Sequence, residues 1–211
     1  MYVDRPLEAY PNGKYDITQD ILNDDVFAQL WYSITGDSYW HFGMPCASFS
    51  ILNALSSGTR TRDLPQGDGS RDSEVHGNRI LARMILLIKR IQQVGGQWSI
   101  ENPLSSFLWR MPEVKALSRK ELVYEVRFDQ CMYGLSFKDS PTCRCKKATL
   151  LLTNHENLCS LAKKCDGSHK HVHAIGSVRL NGVWTKRSKV AGHYPLQLVR
   201  AWSRAAHAGC Q

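Results

Sequence analysis

The sequence predicts an α/β protein with a largely parallel sheet and helices on both faces. Two observations carry this. Strand-like segments alternate with helical ones through the first two thirds of the chain, and the longest helical segment bears one continuous apolar stripe. The 211 residues suffice for one such domain with a sizeable core.

"MYVDRPL" reads as a strand from the first residue, ending at Asp4 and Pro6, and "GKYDIT" as a second ending near Asp16. "DDVFAQLWYSI" places Val26, Phe27, Leu30, Trp31 and Ile34 at helical spacing behind acidic first-turn residues. "SYWHF" is a third strand, stopped by Gly43. "SSGTRTRDLPQGDGS" is a loop, small and charged, with Pro and three Gly. "SEVHGNRILARMILLIKRIQQVGG" is a helix: Ser73 can cap it, Ile80, Met84, Leu87, Ile88 and Ile91 share a face, and Gly95 and Gly96 end it. "QWSIENP", "LVYEVRF" and "ATLLLT" read as strands. "ENLCSLAKKC" reads as a short helix and "YPLQLVRAWSRAAH" as a final one opened by Pro195.

The composition, 43% hydrophobic and 22% charged, is that of a globular protein, with no apolar run near the ~20 residues a membrane span needs. No charged-then-apolar leader opens the chain, so an intracellular protein is expected, nuclear in a nucleated cell and cytoplasmic otherwise. Seven cysteines in no disulfide-like spacing read as thiols in a reducing compartment, some of them metal-bound. Charge is strongly asymmetric. Residues 136–211 carry thirteen Lys/Arg against three Asp/Glu, while residues 1–135 carry fourteen against sixteen. A basic C-terminal third of this kind suits a partner rich in phosphate.

In open α/β sheets ligands sit beyond the carboxyl ends of the strands. "GMPC" and "ENP" both fall at such ends, one crossover apart, so the sequence places Cys46 and Glu101 side by side. Here it resembles the C5-cytosine DNA methyltransferases. In that family a Pro-Cys loop after one strand carries the nucleophile, and a Glu-Asn pair after the next carries the acid that engages the target base. "GMPCASFS", with Pro45 and Cys46, looks like the first; "SIENPLSSFLW", with Glu101 and Asn102, looks like the second. "AGHYPLQLVRAW" is similar to the family's late motif, a turn leading into a helix packed back on the core. "MYVDR" and "KYDIT" resemble strands whose acids face the cofactor's ribose and adenine, which carries over Asp4 and Asp16. Met44 stands where the family has a first proline, Pro103 where it has valine, and "VRFDQC" offers only Arg127 for an arginine-rich strand.

The resemblance implies a methyltransferase-like sheet lacking its first strand and Gly-rich turn, so either a piece of a longer protein or a chain with an incomplete cofactor site. It implies S-adenosylmethionine as methyl donor and a flipped cytosine in DNA, or RNA, as target. Cys46 would be the nucleophile, Glu101, protonated in a low-dielectric pocket, the acid at N3, and Asn102 a positioning residue for the loop. It also divides the chain into a core of residues 1–135, a small basic target-recognition-like lobe of residues 136–190, and a C-terminal helix, residues 191–211, packing back on the core.

Arg60 and Arg62, in a loop expected to close over the base, and Arg127, Lys146, Lys147, Lys186 and Arg187 are the expected phosphate contacts, with Lys163, Lys164 and Lys189 beside them. Cys165 and His169 suit two ligands on one turn, and Cys143 or Cys145 would complete a structural zinc site. Two other readings stay open: a non-catalytic nucleic-acid-binding remnant of the same fold, and a cysteine hydrolase with Cys46 at a helix start and His193 or His41 as base.

Overall fold

The computed structural model describes residues 20–180 and 182–208. The two strands expected before residue 17, with Asp4 and Asp16, lie outside them. The described elements are helix α1 (Asp24–Tyr32), strand β1 (Tyr39–Gly43), α2 (Ile51–Ser56), α3 (Asp72–Gln93), β2 (Gln97–Pro103), α4 (Pro112–Ser118), β3 (Tyr124–Asp129), β4 (Ser136–Phe137), β5 (Ser140–Cys145), β6 (Ala148–Thr153), β7 (His171–Val172), β8 (Ser177–Leu180), β9 (Val183–Lys186), α5 (Arg187–Val190) and α6 (Leu196–His207).

The main sheet runs β1-β2-β6-β3. β1 and β2 are parallel, whereas β6 is antiparallel to both its neighbours. The described sheet is therefore mixed, not largely parallel. The cause is β6, which returns from the chain's excursion through β4 and β5 and inserts between β2 and β3. "ATLLLT" is buried on both faces, a pattern that a central strand satisfies in either direction. The expected boundary of the basic lobe moves for the same reason. Residues 148–161 belong to the core, where Leu151, Leu158 and Leu161 pack with α6.

Helices do cover both faces. On one, Met84, Leu87, Ile88 and Ile91 of α3 meet Trp98, Ile100 and Leu152, with α1 and α4 alongside. On the other, Leu198, Trp202 and Ala205 of α6 meet Val126, Phe128 and Leu151. Period-two alternation decides which side chains point where: Trp98 and Ile100 face α3, and Ser99 and Glu101 face α6. The α3 stripe is as expected, but the helix starts at Asp72 with Arg71 as N-cap and no side-chain cap, so Ser73 lies within the first turn. α6 starts where Pro195 was expected to open it.

What remains of the basic lobe is slight: a three-stranded sheet β4-β5-β7, the hairpin β8–β9, and a buried cluster of Leu135, Phe137, Cys145 and Ala191. No described helix is long and apolar enough to cross a membrane.

Candidate functional site at the tips of two parallel strands

β1 and β2 pair in register, with Tyr39 opposite Gln97 and Gly43 opposite Glu101. Residues 39, 41 and 43 consequently share the α6 face with Ser99 and Glu101. On that face lies one continuous hydrogen-bonded chain. Trp202 Nε1 donates to Tyr39 Oη at 2.7 Å. Tyr39 and Ser99 Oγ are 2.6 Å apart, and Ser99 Oγ is 2.9 Å from His41 Nδ1. His41 Nε2 is 3.1 Å from Tyr194 Oη, which donates to Glu101 Oε2 at 2.8 Å.

Indole N–H can only donate and Glu101 Oε2 accepts from Tyr194, so with His41 neutral the direction of the whole chain is set. Tyr39 donates to Ser99, Ser99 to His41 Nδ1, and His41 Nε2–H to Tyr194. His41 is held neutral, its pKa pushed down to about 4 by burial. Burial likewise pushes the Tyr39 phenol up to about 12. Tyr194 is raised well above its ordinary value by burial first, and then by the charges of Glu101, Tyr39 and Cys46.

Glu101 is 6% exposed. Its pKa is raised by burial, against the opposing pull of Lys147, whose Nζ lies 3.9 Å from Oε1, and of the Tyr194 hydrogen bond. Oε2 is spoken for, while Oε1 is buried and accepts no hydrogen bond. This carboxyl thus has one oxygen fixed by a hydrogen bond and one without a hydrogen bond, facing Lys147. Gly43 leaves room for it: a Cβ there would lie 3.3 Å from Tyr194 Oη, a tight contact.

Asn102, wholly buried, donates through Nδ2 to the Met44 carbonyl at 2.9 Å, and also to the Glu101 carbonyl at 3.1 Å. It ties the end of β2 to the loop that leaves β1. Met44 is buried beneath that loop, and Pro45 and Cys46 are exposed. Cys46 lies in the loop, ahead of α2, whose N-cap is Ser50, so it does not stand at a helix start. Nor is His41 available as its base, because both ring nitrogens are engaged within the chain.

The other expected residues divide. Arg60 is 2% exposed. It donates to the carbonyls of Ser48, Pro65 and Glu74 and lies over the Phe49 ring. It is a buried loop anchor and is not placed to meet a phosphate. Burial of the guanidinium is made tolerable by these acceptors and by Glu74, whose carboxylate also takes the Thr59 amide. Arg62, Lys146 and Lys186 are exposed as expected. Arg127 is exposed but paired with Glu125 at 2.9 Å, and Arg187 is paired with Asp139 at 2.5 Å. Lys147 points at the carboxyl of Glu101.

A second cluster lies away from the strand tips. Cys131, Cys165, His169 and His171 bring their ligand atoms within 4.8 Å of one another, a set that can hold a metal ion. Cys165 and His169 were expected there. Cys143 and Cys145 are not in the group: Cys145 is buried among Leu135, Phe137 and Ala191, and half-buried Cys143, two residues earlier on the same strand, is not among the four clustered residues. Sequence reasoning missed Cys131 and His171 as partners, and His41 and Tyr194 as parts of the first site. The available signal for the latter was the period-two series Tyr39, His41, Gly43.

Comparison with protein-family models, with curated proteins and with solved structures gives no match.

Proposed function

We propose that the chain is a C5-cytosine methyltransferase-like domain whose strand tips act on a cytosine extruded from a nucleic acid. The observation that carries this is Glu101. It is a buried carboxyl with one oxygen held by Tyr194 and the other free of hydrogen bonds beside Lys147, opposite the strand end from which the exposed Cys46 follows three residues later.

The chemistry follows from the two groups. Cytosine C5 is too electron-poor to attack an electrophile. When the Cys46 thiolate adds to C6, an S–C6 bond forms and the ring electrons move toward N3, which takes a proton from Glu101. C5 is then enamine-like and can bond an electrophile. Loss of the C5 hydrogen as a proton to solvent, return of the N3 proton to Glu101 and cleavage of S–C6 restore the aromatic ring and the thiolate. A carboxyl whose pKa burial raises is suited to the N3 contact. The Tyr194 bond leaves the proton to Oε1, the open oxygen. Extruding a base costs a few kcal/mol, which the exposed cations Arg62, Lys146 and Lys186 would help offset by holding phosphates.

The methyl donor of the resembled family is S-adenosylmethionine. Among the described residues none forms a cradle for it. A cavity of about 440 Å³ beside Asn23, His76 and Arg79, and another beside Tyr124 and His155, both lie away from the strand tips. Asp4 and Asp16 are outside the described residues. No step here is therefore routed through the cofactor.

Addition of a thiolate at C6 can be read without methyl transfer, as exchange of the cytosine C5 hydrogen with solvent. The full chain, incubated in deuterated water with cytosine-containing duplex and single-stranded DNA, is expected to exchange H5. Cys46→Ser should abolish the exchange and Glu101→Gln should reduce it by orders of magnitude. DNA binding with no exchange would overturn the catalytic reading in favour of a nucleic-acid-binding remnant.

A further inference from the structure

We infer that Cys131, Cys165, His169 and His171 form a closed, structural zinc site that fastens the basic lobe to the main sheet. The inference is independent of the chemistry at Cys46 and Glu101.

Zinc bonds thiolate sulfur at about 2.3 Å and imidazole nitrogen at about 2.0–2.1 Å, so ligand atoms on a tetrahedron around it lie roughly 3.3–3.8 Å apart. Cys165 Sγ is 3.3 Å from His171 Nε2 and 3.7 Å from His169 Nε2. The two imidazoles meet edge to face with centroids 4.7 Å apart, which turns both Nε2 atoms toward the same sulfur. Cys131 Sγ completes the group. Two thiols and two imidazoles are the soft and borderline donors that zinc prefers, and four protein ligands leave no open position.

The backbone supports the group from outside. Cys165 N–H donates to Asp129 Oδ2 at 2.8 Å, setting the residue against the end of β3. Gly167, with φ of +77°, turns its N–H onto Cys165 Sγ at 3.5 Å, an amide-to-sulfur bond that favours a thiolate. Asp166 Oδ1 accepts from Ser168 N–H and closes the turn that delivers His169. Arg144 N–H to the Lys170 carbonyl, at 2.9 Å, starts the pairing of β5 with β7, which places His171.

The four residues come from two parts of the fold, Cys131 from one and the segment from Cys165 to His171 from the other. Cys131 sits in the short 3-10 turn Gln130–Tyr133 at the end of β3, Cys165 beyond β6, and His171 on β7 of the small sheet. That sheet has only four buried residues in its own apolar cluster. A segment with so little core gains its order from a metal, whose binding free energy becomes folding free energy.

The test is elemental analysis of the full chain purified under reducing conditions, with cobalt(II) as a spectroscopic substitute. About one zinc per chain is expected. Cobalt should give the strong visible bands of a tetrahedral ion together with sulfur-to-cobalt charge transfer. Cys131→Ser and Cys165→Ser should each lose the metal, while Cys143→Ser should keep it. Chelation should speed amide exchange in residues 163–186 and leave β1 and β2 protected. Should the cysteine variants fail to fold, the cobalt spectrum of the unaltered chain decides alone. Substoichiometric zinc with no tetrahedral cobalt spectrum, or metal retained in Cys165→Ser, would overturn the inference.

Discussion

Asn102 reaches across from β2 to hold the carbonyl of Met44 at 2.9 Å, so the strand carrying the buried carboxyl also fixes the loop carrying the exposed thiol. Replacing Asn102 by alanine orphans that carbonyl, which is buried with Met44. A loss of about 1–3 kcal/mol is expected, read as a lower urea midpoint. Thiol-reactive probes should report a changed rate at Cys46, because its loop is no longer tied. An unchanged rate would show that the tie does not govern the loop.

His41 predicts a pH dependence. Its folded pKa of about 4 lies below the ordinary 6.5, so the unfolded chain binds the proton first as pH falls. The stability conferred by neutral His41 is fully present above about pH 6.5 and is lost progressively toward pH 4. The difference of pKa corresponds to roughly 3 kcal/mol. In His41→Gln, urea midpoints across that window should be flatter than in the unaltered chain; equal slopes would contradict the assignment.

Glu101 acts with the opposite sign. Its folded pKa is raised above the ordinary 4.5. Its stability contribution is therefore present below about pH 4.5 and is lost as pH climbs through the raised value. Glu101→Gln cannot ionise. Its stability relative to the unaltered chain should rise between pH 4 and pH 8, measured by denaturant titration at both ends.

Arg60 should behave as a structural residue. Arg60→Ala removes a buried guanidinium from three carbonyls and from Glu74, with an expected loss of about 3–5 kcal/mol. Thermal unfolding measures it. In the protein that remains folded, the salt dependence of DNA binding should not change.

That salt dependence should respond elsewhere. Exposed Lys146 and Lys186 are free to neutralise phosphates. Each alanine substitution should reduce the slope of log affinity against log salt by about 0.9 for duplex DNA. Arg187→Ala should instead loosen the lobe, since its partner is Asp139. Filter binding at several salt concentrations separates the two outcomes.

Local patterns were legible in the sequence where they depend on near neighbours. The apolar stripe of α3 and the strand "ATLLLT" both lie where spacing and β propensity place them. The position of β6 between β2 and β3 was not legible, because a strand buried on both faces carries no mark of its partners or direction. At the strand tips, Pro-Cys and Glu-Asn are local motifs, whereas the Tyr194–Glu101 bond depends on how α6 approaches the sheet. Arg60 read as a loop cation because nothing in "TRTRD" discloses that carbonyls of Ser48, Pro65 and Glu74 converge on it. Cys165 and His169 were suggested by turn spacing; Cys131, on the far side of β6 in the chain, was not.

The polarised chain from Trp202 to Glu101 also has a meaning in time. Its first and fifth members are synthesised after every described strand of the main sheet, while Ser99, His41 and the carboxyl itself are made much earlier. During synthesis, then, the acid stays wetted and the imidazole uncommitted until α6 arrives. A nascent chain stalled before Tyr194 would hold every strand of the main sheet and still lack a finished pocket.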